Sequence, residues 1–224
     1  MITLAIDTSA GTSVAVLRDE QVLHEVNFED TRSHAESIGV AIKQALNEAQ
    51  VAFIDVQQVA VGIGPAPFTG LRVGIAAAKL FAIGLNSGAR PASVYGVVSL
   101  DAIALSAIDA GEVASAENPM LITADARRGE VYWALYSGVE VSGIPVRSEG
   151  PGVEKLVELK ADLVARGLSV NHVVARVSAG ELGRVLVAQQ AVGSASTDLT
   201  PLYLREADAV MPVSNRLAGK KVSG

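Results

Sequence analysis

The sequence predicts an α/β protein with mixed sheets and two loosely similar halves. Three observations carry this. Half of the 224 residues are apolar, the composition of a chain that folds around a core. Three alternating apolar segments precede any helical pattern, after which helix and strand patterns alternate, so that the first hundred or so residues read β-β-β-α-β-α-β. The second half again opens on strands around an acidic turn and then mixes helices with strands, although no repetition of sequence accompanies the likeness.

Taken in order, Ile2–Ile6 alternates and is apolar, a strand at the extreme N-terminus. Asp7-Thr8-Ser9-Ala10-Gly11 is a turn, Ser13–Leu17 a second strand, Asp19-Glu20 a hairpin turn and Val22–Phe28 a third strand. Ser33 and Glu36 have capping-box spacing. Ile38, Ala41, Ile42, Ala45, Leu46 and Ala49 then follow at helical intervals. A strand over 59–63 leads into a Gly/Pro-dense turn and a helix over 69–85, with Thr69 as a candidate cap beside the alternative that the glycines and prolines only fix the turn. Ser93-Val94-Tyr95 reads as a short strand and Leu100–Ala110 as a helix. Residues 111–118 are small and polar and read as the connection, so the expected lobes are 1–110 and 111–224. Beyond it Met120–Ala124, Glu130–Tyr136 and Val139-Glu140-Val141 read as strands. Val153–Arg166 is mixed with a helix near its end, His172–Ala175 is a strand and Ala179–Gln190 a helix.

The most constrained stretch is Gly62–Gly74. Strand, tight turn and helix start can hold an anion. It is not a P-loop, since no Gly-Lys-Ser/Thr follows, and not a dinucleotide fingerprint, since Pro67 stands where a third glycine belongs. The helix that follows is apolar nearly all round, so it is buried on more than one side. Gly70, Gly74 and Ala78 recur every four residues along one face and admit a close neighbour. That neighbour is either the helix at 34–49 or a second chain.

Composition excludes several classes. The net charge is −6 and there is no run of basic residues before Lys220-Lys221. Tight nucleic-acid binding by the chain alone is therefore not expected. The absence of cysteine removes disulfides, thiolate metal sites and cysteine nucleophiles. No signal peptide is visible in the opening residues, and Leu71–Leu85, interrupted by Arg72 and Lys79, reads as too short to span a bilayer. A cytoplasmic protein without membrane association, cofactor or metal is expected. His24, His34 and His172 form neither HxxxH nor HExxH. Asp7, Thr8 and Ser9 are open to two readings, a phosphate- or metal-facing turn or an Asx turn closing a hairpin. Asp125, Arg127, Arg128 and Glu130 read as a solvated hairpin tip, and one of Tyr132 and Trp133 is expected to face the core.

Five segments together resemble a known family, the bacterial TsaB (YeaZ) proteins of tRNA threonylcarbamoyladenosine synthesis. They are Ile2–Ser9, Ser33–Glu36, Gly64–Gly74, Asp125–Tyr136 with Asp-Ala-Arg-Arg-Gly-Glu-Val-Tyr-Trp-Ala, and Pro201–Arg205 followed by Ala207-Asp208-Ala209. One departure stands in the turn, where Ala66-Pro67 replaces the family's usual Gly-Ser. This removes a hydroxyl and an N–H donor. The resemblance implies an actin-like, Hsp70-like ATPase (ASKHA) fold of two RNase-H-like lobes. It implies a non-catalytic scaffold required for threonylcarbamoyl transfer to N6 of the tRNA adenosine following the anticodon. The implied partners are a TsaD-like catalytic subunit, whose HxxxH metal motif this chain lacks, and a TsaE-like ATPase. tRNA would be met only through the complex, and a homodimer remains open for the chain alone. The helices at 34–49 and 69–85 would carry the interface, with His34, Ile38, Ile42, Gly70, Leu71, Gly74, Ala78 and Phe81 as its residues. The alternative is a stand-alone ATP-binding phosphotransferase or ATPase of the same fold, with Asp7, Thr8 and Ser9 at the phosphates and Asp125 opposite.

Overall fold

The computed structural model describes residues 1–29, 34–86 and 92–205. Strands β1 (Ile2–Asp7), β2 (Thr12–Arg18) and β3 (Gln21–Phe28) are followed by α1 (His34–Glu48), a 3-10 turn (Phe53–Asp55), β4 (Gln58–Gly62), α2 (Phe68–Asn86), β5 (Ser93–Val97) and α3 (Ser99–Asp109). The second half contributes β6 (Met120–Asp125), β7 (Glu130–Val139), β8 (Pro145–Lys155), α4 (Leu156–Ala165), β9 (Asn171–Val174) and α5 (Ala179–Ala191).

The first sheet has the order β3-β2-β1-β4-β5 and the second β8-β7-β6-β9. In both, three consecutive strands pair antiparallel and the next strand joins the first of them in parallel. The expected likeness of the halves is thus one of topology, and the expected mixed-sheet α/β fold of two RNase-H-like lobes is the one observed.

Period-two alternation sorts the strand residues into layers. Leu4, Ile6, Val14, Val16, Val59 and Val61 point to α1 and α2. Ala5, Ala15 and Ala60 point the other way, into a middle layer made by α3 and α5. Met120, Ile122, Ala134 and Tyr136 close that layer from the second sheet, while Leu121 and Leu135 pack on α4. The small alanines on the inner face let the helices approach closely. Gly183 of α5 does the same from the helix side, since a Cβ there would lie 2.5 Å from Leu17 Cδ1. Residue 110 separates the two sheets, but the middle layer takes α3 from the first half and α5 from the second.

Two expectations are corrected. Val139-Glu140-Val141 is not a third strand: β7 runs to Val139, and Glu140 N–H donates to Ile144 O at 2.9 Å across a turn that delays β8 to Pro145. Gly143, at φ 88°, takes the left-handed position that this turn requires. The helix after the Gly/Pro turn is also longer than read. It begins at Phe68, so Thr69 lies inside its first turn instead of capping it. By length and composition Phe68–Leu85 is long enough to cross a membrane, yet 44% of it is buried inside this fold. Ser33 lies outside the described residues.

Candidate protein–protein interface

The Gly62–Gly74 stretch is held from three sides by its own chain. Gly62 ends β4 so close to Asp7 that a Cβ would stand 1.9 Å from Oδ2. Gly64, at φ 98°, takes a backbone conformation closed to other residues, and its carbonyl accepts from Ser99 N–H at 2.8 Å. Tyr203 stacks on Phe68 with ring centroids 3.8 Å apart, and Arg72 lies 4.7 Å over Phe68 while its Nε donates to Tyr203 Oη at 3.1 Å. Leu202 N–H donates to Ile63 O at 2.8 Å, and Arg205 pairs with Glu130 at the start of β7. The segment after α5 therefore straps the turn to the second lobe.

Asp7, Thr8 and Ser9 are largely committed to this scaffold. Asp7 is buried; its Oδ1 accepts from Ser9 N–H at 2.8 Å and Ser9 Oγ at 2.5 Å, and its Oδ2 accepts from Ser99 Oγ at 2.6 Å. Thr8 is buried and donates to Gly70 O at 2.8 Å. This is the Asx-turn geometry, with the carboxylate tied to the N-terminus of α3.

The small-residue face of α2 is turned inward. A Cβ at Gly74 would meet Thr8 Oγ1 at 2.3 Å. Gly70 and Leu71 are buried under the turn, Ala78 is buried in the cluster with α1, and Phe81 packs edge-on against Phe53 at 4.5 Å. Ile38 is buried in the same cluster and Ile42 is half-buried beside it. The close neighbour that Gly70, Gly74 and Ala78 admit is the chain's own first turn and first helix. His34 opens α1, and its side chain lies outside the described residues.

What the two helices present outward is a different set. Val40 on α1 is 58% exposed, and Leu80 and Ile83 on α2 are 67% and 62% exposed. Gly39, Ala76 and Gly84 flank them, exposed and small. An apolar groove between the helices, about 570 Å³, is lined by Ile42, Leu46, Phe53, Ala77, Leu80 and Phe81 with Lys43 and Asn47 at its edge. Single exposed aliphatics are ordinary, whereas an exposed Leu80 lining an apolar groove makes this face the candidate contact surface. The periodicity of α2 could not single out this face, because a helix apolar on every side does not show which side its own sheet takes.

Other charged groups fall away from this surface. Asp101 on α3 accepts from Tyr136 Oη at 2.7 Å and lies 3.6 Å from Arg147 Nη1. Burial raises the Asp101 pKa, against the opposing pull of Arg147, and burial beside Asp101 raises that of Tyr136 further. His172 shares a hydrogen bond of 2.9 Å with Thr123 Oγ1, and its pKa is lowered by burial. Arg127 and Arg128 occupy the exposed tip at φ 66° and 56°, with Asp125 Oδ1 accepting from Arg127 N–H at 2.7 Å. Tyr132 is the residue of its pair that faces inward.

Comparisons with known proteins bear on the family and the fold. A family model described as TsaD, tRNA N6-adenosine threonylcarbamoyltransferase, matches residues 21–179. The chain is 36% identical over 215 residues to an uncharacterized protein of Mycobacterium tuberculosis, covering 92% of each. It is 33% identical over 137 residues to the tRNA threonylcarbamoyladenosine biosynthesis protein TsaB of Bacillus subtilis, covering 61% of this chain and 55% of that one. The solved structure of YeaZ from Pseudomonas aeruginosa superposes with a TM-score of 0.68 at 26% identity, over 91% of this chain and 99% of that one. The chain belongs to the family that this threonylcarbamoyltransferase model describes, and its named relatives are the TsaB (YeaZ) proteins of tRNA threonylcarbamoyladenosine biosynthesis.

Proposed function

We propose that this chain is a TsaB-type scaffold subunit, which binds a TsaD-type catalytic subunit through the outward face of α1 and α2 and is required for threonylcarbamoyl transfer to the tRNA adenosine following the anticodon. The observation that carries this is the apolar α1–α2 groove with Leu80 exposed at its lining, together with Val40 and Ile83 exposed on the same two helices. Burying these side chains against a partner recovers about 1.5–3 kcal/mol per large aliphatic side chain. The chain itself does no chemistry on this reading. Its three histidines form neither HxxxH nor HExxH, and Asp7, which would face a phosphate in an ATPase reading, accepts from Ser9 and Ser99. A TsaE-type ATPase joins the assembly, tRNA is met through the complex, and the work is done in the cytoplasm. When the partner is absent the same face is open to a second copy.

Reconstitution tests the reading. TsaD-type and TsaE-type subunits with tRNA, threonylcarbamoyl adenylate as the group donor, and ATP should form modified adenosine, with release of AMP from the adenylate, only when this chain is added. Leu80→Asp should abolish the stimulation while leaving the circular dichroism and melting of the chain unchanged. Full stimulation by Leu80→Asp would move the interface elsewhere. Modification that never depends on the chain would remove the scaffold role.

A further inference from the structure

A cleft of about 290 Å³ opens between the β1–β2 turn and the crossing from β9 to α5, lined by Asp7, Ser13, Glu25, Asn27, Arg176 and Ser178 among others. At its back the chain leaves the second sheet and enters the middle layer as α5. A helix start there presents N–H groups with no intrahelical partner and the positive end of the helix dipole. One of those groups is served locally, since Ser178 caps the helix by accepting from Glu181 N–H at 3.1 Å. The rest are served from the first lobe. Glu25 on β3 accepts through Oε2 from Ser178 Oγ at 2.8 Å and Gly180 N–H at 3.3 Å. Through Oε1 it accepts from Ser13 Oγ at 3.0 Å and Asn27 Nδ2 at 3.3 Å. Ser13 Oγ completes the ring by accepting from Ala179 N–H at 2.9 Å. Gly180 makes the approach feasible, because a Cβ there would stand 2.8 Å from Glu25 Oε2.

We infer that Glu25 is a latch between the lobes: its carboxylate supplies, from within the chain, the anion that the start of α5 calls for, and so holds the crossing segment against the first sheet. Both oxygens are used, and the donors come from two parts of the chain, Ser13 and Asn27 before the crossing and Ser178 and Gly180 after it. All four donors are neutral, so their bonds are charge-assisted without needing a second desolvated ion. The neighbouring Arg176–Glu29 pair, at 2.5 Å, is exposed on both sides and contributes little once screened. Ser13 is buried, and removing the carboxylate would leave it, Ser178 and the Gly180 N–H around a void the size of a small carboxylate. The latch is independent of the partner-binding reading.

The test is chemical rescue in the full chain. Glu25→Ala should melt lower by roughly 4–12 °C, the scale expected for orphaning several donors in a chain of this size. Sodium formate, compared with sodium chloride at equal ionic strength, should restore about half of that loss by mass action on the vacated position and give the wild type nothing. Glu25→Gln fills the space with an amide whose N–H₂ opposes donors, so it should melt lower without rescue by formate. Amide exchange at Gly180 and Glu181 should quicken about tenfold in Glu25→Gln, and this measurement decides should Glu25→Ala fail to fold. Formate stabilising Glu25→Ala no more than wild type, or exchange at Gly180 and Glu181 unchanged in Glu25→Gln, would overturn the latch.

Discussion

Gly74 lies on the face whose small residues suggest a partner, and its substitution separates an inward from an outward reading of α2. A methyl added at Gly74 would lie 2.3 Å from Thr8 Oγ1 and 3.3 Å from Thr8 Cβ and Cγ2. Ordinary contact is near 3.5 Å or more, so one side must move. Rotating Thr8 away breaks its 2.8 Å bond to Gly70 O in a buried place, at about 1–3 kcal/mol. Moving α2 outward instead strains a packed cluster at about 1–3 kcal/mol. The better helix propensity of alanine returns about 1 kcal/mol. The overlap is severe, so the upper part of either range applies, and after the propensity gain the expected net loss for Gly74→Ala is about 1–2 kcal/mol, a melting decrease of roughly 2–8 °C. The assay is urea unfolding of Gly74→Ala, Thr8→Ala and the double variant. Thr8→Ala removes Oγ1 and Cγ2, so adding Gly74→Ala to it should cost little and the cycle should show a coupling of about 2 kcal/mol. Gly39 provides the opposite case on α1, since an added Cβ there meets nothing within 4 Å. Gly39→Ala should stabilise by about 0.5–1 kcal/mol. A Gly74→Ala chain as stable as wild type, or a cycle without coupling, would refute the inward packing of this face.

Two further outcomes follow from the second lobe and its contact with α3. Burial raises the folded pKa of Asp101 above its unfolded value of 3.8, so between those two pKa values the folded state holds more protons than the unfolded one. Stability from this group is therefore greatest below the unfolded pKa and is lost as pH rises through the folded pKa. Urea unfolding should show the stability difference between wild type and Asp101→Asn falling as pH rises from about 4 towards neutrality, and a flat difference would contradict the burial argument. A Cβ at Gly152 would stand 2.7 Å from the ring of Trp133, the single tryptophan. Gly152→Ala should shift the intrinsic fluorescence and cost about 1–3 kcal/mol by displacing the ring. An unchanged emission spectrum and melting curve would contradict the close contact between β7 and β8 at that residue pair.

Much of the architecture is legible in the sequence because alternation and helical spacing are local. Leu4 and Ile6 against Ala5, or Val59 and Val61 against Ala60, already declare two buried faces, one of them flat enough for a close helix. The third strand of the second half is missed because Val139-Glu140-Val141 alternates like a strand, while the glycine that bends it away stands only at 143. The outward face of α1 and α2 is where local reasoning fails. On α2, Gly70, Gly74 and Ala78 have the spacing of a packing face, and so they are one, but for Thr8 and α1. Which side of an all-round apolar helix remains open depends on strands sixty residues upstream, and no window of sequence holds that information. The contacts of Tyr203 and Arg205 with Phe68, Arg72 and Glu130 are long-range in the same way.

The central claim is that the outward face of α1 and α2 binds the catalytic subunit. Its most direct measurement is calorimetric titration of a TsaD-type subunit with wild-type chain, with Leu80→Asp/Ile83→Asp, and with Val157→Asp, an exposed valine on α4 as control. Losing two buried aliphatics and placing two carboxylates in an apolar contact should weaken binding by at least about 100-fold, with Val157→Asp indistinguishable from wild type. Equal affinity for wild type and the Leu80→Asp/Ile83→Asp chain would contradict the claim.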